Sequence, residues 1–166
     1  MNRVVGAALG SAVFFVAAPL VMGAGVPFLI TQWHGSPSGV DVLDVAGAVV
    51  AALGAALVVA CFVLFVLDGR GTPAPIAPTE ELVVRGPYRV VRNPMYVGVA
   101  AAVAGQALAF RSVGLVVWLV VFLLAVVSFV KGYEEPTLSE QFGAPYDRYR
   151  RRVPGWLPRV RRRPAR

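Results

Sequence analysis

The chain has 166 residues, 57% of them hydrophobic and only 15% charged, with a mean hydropathy of +0.68 and a formal charge of +7. A soluble domain of this size carries about 25% charged residues, and here the apolar excess is gathered into uncharged runs, which excludes an ordinary soluble globular domain. The positive charge borders those runs with no recognition motif for nucleic acid; each arginine there gains about 1 kcal/mol from anionic headgroups, so the expected partners are membrane lipids.

In chain order, residues 4–30 carry no charge and exceed the roughly 20 residues that cross about 30 Å of hydrocarbon. Pro19 and Pro27 interrupt this first span, which a bilayer tolerates where neighbouring helices re-satisfy the freed carbonyls. Gly23-Ala24-Gly25 reads as a place of close helix packing. The run is too long for a cleavable signal, and no small-residue cleavage site follows it. Between residues 32 and 44 come His34, Asp41 and Asp44, with no Lys or Arg. A second span covers 45–67; its Cys61, the single cysteine, reads as a small apolar core residue.

Residues 68–94 form a polar loop rich in Gly and Pro, holding Arg70, Arg85, Arg89 and Arg92. Gly69-Arg70-Gly71 leads into Thr72-Pro73-Ala74-Pro75, so no helix N-terminus follows it to hold a phosphate. Leu82-Val83-Val84 is a short apolar stretch, and Gly86-Pro87-Tyr88 is a turn with proline pre-set at its first central position. Pro94 suits a first helical residue, and Asn93 before it suits an N-cap.

The third and fourth spans, 95–110 and 112–130, would be about 24 to 27 Å long, a tight hairpin turning at Arg111-Ser112. Gly98, Ala102, Gly105 and Ala109 recur near four-residue spacing, which lets another helix approach closely and equally permits self-association into a homo-oligomer. In the tail, 131–166, Pro136 opens a short helix that Gly143 ends. Pro145 opens a second, with Tyr146, Tyr149 and Val153 on one face. Trp156 and Leu157 beside arginines fit an interfacial segment. Arg3 precedes the first span, the hairpin tip has only Arg111, and the other arginines lie in the 68–94 loop and in the tail. By the positive-inside rule both termini are cytoplasmic. The expected fold is all-α, a polytopic helix bundle of four transmembrane helices in the cell membrane with a cytoplasmic helical tail.

Gly86-Pro87-Tyr88-Arg89, Arg92-Asn93-Pro94-Met95-Tyr96-Val97-Gly98, a hydrophobic hairpin, Glu134-Glu135-Pro136 with Leu138, Phe142-Gly143, Tyr146, Tyr149 and Val153-Pro154 follow one another in order. This ordered set resembles the isoprenylcysteine carboxyl methyltransferase family, with the related phospholipid methyltransferases. It covers residues 82–158. The resemblance implies an integral membrane enzyme that moves a methyl group from S-adenosylmethionine to a lipid-like acceptor, with the cofactor at the cytoplasmic mouth of the bundle. Carried over by position, the cofactor-binding residues are Glu80, Glu81, Leu82, Val83, Tyr88, Asn93, Pro94, Met95, Tyr96, Glu134 and Glu135. Arg92, Asn93 and Glu134 are the candidate catalytic residues. Better-known members have His at the position of Asn93, and prenylcysteine enzymes have an arginine where this chain reads Val130-Lys131.

The residues point the same way without the resemblance. The hairpin returns Glu134-Glu135 to the end where Asn93-Pro94 begins the third span. Arg92 and that helix N-terminus attract an anionic group, the acids attract an ammonium or a diol, and Tyr88 and Tyr96 can stack on a base or face a cation. Methyl transfer asks the protein mainly for alignment and exclusion of water, which needs neither His nor a metal. His34 falls on the other side of the membrane and has no catalytic role. Taken alone, Glu134-Glu135 also reads as solvated acids at a helix exit, and Tyr88 and Tyr96 also read as aromatic-belt anchors. The acceptor stays open between a carboxylate, an amine and a thiol. A non-catalytic membrane protein binding a lipid or a partner is the alternative.

Overall fold

The computed structural model describes residues 17–34, 40–68, 82 and 84–159, without side chains for 65–68, and every regular element among them is helical. Helix α1 covers Ala17–Thr31, α2 Val42–Asp68, α3 Pro94–Ala109, α4 Val113–Phe129, α5 Glu135–Phe142 and α6 Ala144–Arg152, with a 3-10 turn at Gly86–Arg89. By length and composition Val42–Leu64 and Val113–Phe142 suffice to cross a membrane; Ala17–Thr31 and Pro94–Ala109 are apolar but shorter. Most of the apolar surface of α4, including Val116, Val117, Val120 and Leu124, is exposed, as a lipid-facing helix requires.

The central pair is α2 against α3, and its cause is a stripe of small residues on each helix. Gly47, Ala51, Gly54 and Val58 have the same 4-3-4 spacing as Gly98, Ala102, Gly105 and Ala109, and the helices run antiparallel. A Cβ added at Gly47 would lie 2.5 Å from the Gly105 carbonyl oxygen; one at Gly54 would lie 2.5 Å from the Ala102 nitrogen and 2.6 Å from the Gly98 oxygen. The backbones therefore touch directly, which replaces the hydrophobic driving force absent in lipid with dispersion contacts. The sequence shows the stripe on α3; its counterpart on α2 emerges only from the fold.

The α3–α4 hairpin turns at Arg111 and Ser112 as expected. Arg111 takes the left-handed conformation (φ 48°), and the Ser112 hydroxyl caps α4 by accepting the Leu115 N–H. The Arg111 guanidinium is clipped to Asp41 and, at 3.2 Å, to Asp44. Those two acids close a capping box on α2: Asp41 accepts the N–H groups of Leu43 and Asp44, and Asp44 accepts that of Asp41. Helix α2 accordingly starts at Val42, three residues ahead of the uncharged run. The Asp41 carboxyl is held below its ordinary range, first by the Asp44 N–H, then by the Leu43 N–H and Arg111.

In α1 the proline has a structural consequence. Pro27 has no N–H to give the Gly23 carbonyl, and the helix widens into a π-turn over Val21–Gly25 in which the Val26 N–H reaches back to Val21. Met22 and Gly23 are left with free carbonyls. Gln106 Nε2 on α3 donates to Gly23 at 2.7 Å, and Trp118 Nε1 on α4 donates to Met22 at 3.0 Å. These two bonds tie α1 to the hairpin. Gln106→Leu and Trp118→Phe should each lower stability by about 1 kcal/mol, seen as a fall in thermal midpoint in detergent.

Helix α4 does not stop at the end of its apolar run. It passes through a second π-turn, Val130–Glu134, and continues as α5 to Phe142. The sequence expectation of a separate helix opened by Pro136 is corrected to this extent: Pro136 sits in a first-turn position of α5 and no break precedes it. Gly143, at φ 54°, ends α5 as expected, a backbone setting that favours glycine.

Candidate cofactor site at the α3–α4 base

One end of the hairpin collects the residues that the sequence singled out. Five side-chain or backbone links join the start of α3 to the chain after α4. Tyr96 donates its hydroxyl to Glu134 Oε2 at 3.1 Å. Arg92 Nη1 pairs with Glu135 Oε1 at 2.8 Å and donates to the Tyr146 hydroxyl at 3.3 Å. The Arg92 N–H donates to the Pro154 carbonyl at 2.8 Å, and the Asn93 N–H donates to the Gly155 carbonyl at 3.1 Å. Asn93 and Glu134 thus lie at the same end, as the proposal from sequence demands.

The second π-turn bears on this arrangement. With the Glu135 N–H returning five residues to Val130, the helix is locally wide where it meets Tyr96. Val130 is fully buried on that face, and Glu134 one turn on is half-buried against α3. Val130, at the position where the resemblance would set an arginine, is a packing residue, while Lys131 is exposed.

Asn93 departs from expectation. It occupies the N-cap position, but its side chain makes no capping hydrogen bond. The residue is 8% exposed and its Nδ2 has no partner among the described residues; the same holds for Arg92 Nε. Gly155 lies against both groups, since a Cβ there would stand 3.4 Å from Arg92 Nη2 and 3.6 Å from Asn93 Nδ2. A buried donor without an acceptor costs about 1–3 kcal/mol, and two such donors stand side by side here.

Tyr88 is neither a belt anchor nor exposed. It is 7% exposed in a cluster with Cys61 and Met95, packed on Leu57, Val58 and Leu64 of α2, and its carbonyl accepts the Tyr149 hydroxyl at 2.7 Å. Burial first, then Cys61 and the nearby Glu134, pushes its phenol up, so it stays neutral. Pro94 and Met95 are buried beside it. Tyr146, Tyr149 and Val153 share one face of α6 as expected and pack on Leu82, Val84, Leu138 and Phe142. Burial raises both of those tyrosines as well. Of the remaining candidates, Leu82 is described only through this packing, and Glu80, Glu81 and Val83 lie outside the described residues. Trp156 was not among the site candidates read from the sequence; its ring lies beside that of Tyr96, centroids 6.2 Å apart and tilted by 34°, while Leu157 is exposed.

The model of the phospholipid methyltransferase family matches residues 43–145. The chain belongs to that family. No curated protein and no solved structure matches it. The family match begins at Leu43, so it takes in α2, where the sequence resemblance started at Leu82. It ends at Pro145 and leaves most of α6 and the Pro154–Trp156 segment outside. In this phospholipid methyltransferase family member, Arg92–Tyr96 and Glu134–Glu135 both fall within the matched stretch and meet at one end of the hairpin.

Proposed function

We propose that the protein transfers a methyl group from S-adenosylmethionine to a lipid-like, membrane-partitioned acceptor. The reading places this at the cytoplasmic mouth of a four-span bundle in the cell membrane, with both termini in the cytosol. The observation that carries it is the convergence of Arg92–Tyr96 with Glu134–Glu135 in a member of a methyltransferase family.

The residues present fit the cofactor. Asn93 Nδ2 and Arg92 Nε, which have no partner among the described residues, are donors suited to a carboxylate. Glu134 supplies an acceptor for an ammonium or a diol, and Tyr96 an aromatic face. When bound, the cofactor supplies a sulfonium methyl with a good leaving group. The protein's part is to hold donor and acceptor in line and keep water out. Asn93 can hold a ligand by hydrogen bonds but cannot titrate near neutral pH, so in this reading the position where other members have His binds and moves no proton. Glu80, Glu81 and Val83 complete the cofactor wall in this reading.

The depth of the site favours an acceptor held in the bilayer. Cys61 and Leu64 of α2 pack at the level of Tyr88, Met95 and Gly86, yet the uncharged run of α2 continues to Leu67. That is three to six residues, or about 5–9 Å at 1.5 Å per residue. Helix α3, 16 residues long, reaches only about 24 Å. Its N-terminus is therefore recessed to the level where lipid headgroups meet acyl chains.

Purified full-length protein incubated with methyl-labelled S-adenosylmethionine and a membrane lipid extract should yield a labelled lipid, and the product would identify the acceptor. Cofactor binding without any labelled product would instead favour a silent lipid-binding protein.

A further inference from the structure

We infer that Pro154–Trp156 is a strap of the site, and that Trp156 with Tyr96 and Glu134 forms a corner that receives an alkylated onium cation. The inference rests on the methyl-transfer reading above, and it adds residues beyond the family match, which ends at Pro145.

The strap is held by its backbone. Consecutive carbonyls of Pro154 and Gly155 accept the consecutive N–H groups of Arg92 and Asn93 at 2.8 and 3.1 Å. Those N–H groups precede α3 and belong to no helix ladder, so the pairing satisfies them while fixing the register of the next residue. Val153, buried with Tyr146 and Tyr149, anchors the other end. Register then leaves Trp156 one place beyond Gly155, beside the Tyr96 ring. Tyr96 in turn reaches Glu134, whose carboxylate accepts its hydroxyl at 3.1 Å. Tyr96 is thus bordered by Trp156 at its ring and by the Glu134 carboxylate at its hydroxyl, and all three residues are partly exposed and so reachable by a ligand. Aromatic quadrupoles attract a cation, best at the face of Trp and best when partly desolvated. An alkylated cation hydrates weakly and gains most from such a corner.

That chemistry has two sources in the proposed reaction: the sulfonium of the methyl donor, and the methylated ammonium of a lipid headgroup. The test uses full-length wild type, Trp156→Phe and Trp156→Leu in detergent micelles. Each is titrated with S-adenosylmethionine and with its demethylated product, whose sulfur is uncharged, and each is assayed for KM on a dimethylated aminolipid. Trp156→Phe should stay within about threefold of wild type, and Trp156→Leu should lose about tenfold in one onium arm only, with an unchanged thermal midpoint. Weaker donor binding with unchanged product binding assigns the corner to the sulfonium. A raised KM for the aminolipid with unchanged donor affinity assigns it to the headgroup. The inference is overturned if Trp156→Leu matches wild type in both arms, if donor and product weaken equally, or if the phenylalanine variant falls as far as the leucine one. Should wild type bind neither donor nor product, the methyl-transfer reading itself fails and takes this one with it.

Discussion

Gly54→Leu should leave almost no monodisperse protein after detergent extraction. Its Cβ alone would stand 2.5 Å from the Ala102 nitrogen and 2.6 Å from the Gly98 oxygen. Both are backbone atoms in the middle of a helix, with no rotamer to swing aside. Overpacking commonly costs about 1–3 kcal/mol where side chains can give way; here the whole of α2 must lift off α3, and the loss should exceed that range. The contact being broken also sets where Cys61 and Leu64 meet Tyr88, Met95 and Gly86, so whatever protein survives should lack a formed site. Gly132→Ala is the control. Nothing lies within 4 Å of a Cβ there, and the residue is exposed. It should extract and melt like wild type, or slightly better, because alanine favours helix over glycine by about 1 kcal/mol. Size-exclusion profiles and thermal midpoints of the two variants make the comparison. Equal behaviour would show that close backbone approach does not hold the bundle.

Glu134→Gln should weaken binding of S-adenosylmethionine about 10- to 100-fold while leaving the fold intact. A hydrogen bond to a charged group is worth about 1.5–3 kcal/mol, and each 1.4 kcal/mol is tenfold. Glutamine keeps the shape of the side chain, and its amide oxygen can still accept the Tyr96 hydroxyl, so what is lost is the charge and the second acceptor oxygen. Glu135→Gln should behave differently. Its carboxylate pairs with Arg92 at 2.8 Å, with side-chain exposures of only 14% and 16%. Losing that partner unsettles a largely buried guanidinium, so the thermal midpoint should fall together with affinity. Calorimetric titration and melting of the two variants separate a ligand contact from a structural one. A Glu134→Gln variant of unchanged affinity would mean that the site lies elsewhere.

Much of this site was legible in the sequence because its logic is one of ends. Uncharged runs joined by a two-residue turn must return the chain to its starting side, so Asn93 and Glu134 had to lie at the same end. The face of α6 was equally readable, since Tyr146, Tyr149 and Val153 fall at helical spacing. Three features were not legible, each for a tertiary reason. Gly47 and Gly54 sit in a run where small residues are common, and nothing local says which helix they face. The π-turn in α1 follows from Pro27, but only Gln106 and Trp118, about 80 to 100 residues away, satisfy the carbonyls it frees. Trp156 beside arginines reads as an interfacial anchor. Its placement beside Tyr96 comes from carbonyls pairing with N–H groups 62 residues earlier, a register that no local pattern encodes. Asn93 shows the opposite case. Local rules make it a helix cap, and it does stand at the N-cap position, but its buried amide caps nothing and leaves a donor unspent among the described residues.

That unspent donor is where the central claim is exposed most directly. Calorimetric titration of S-adenosylmethionine and its demethylated product into detergent-solubilised wild type and Asn93→Ala should show one binding event for each ligand on wild type, at micromolar concentration. On the variant the same event should weaken at least tenfold, while the thermal midpoint holds or rises as an unsatisfied buried group is removed. No heat from wild type up to high micromolar ligand, or binding that Asn93→Ala leaves untouched, would contradict the account.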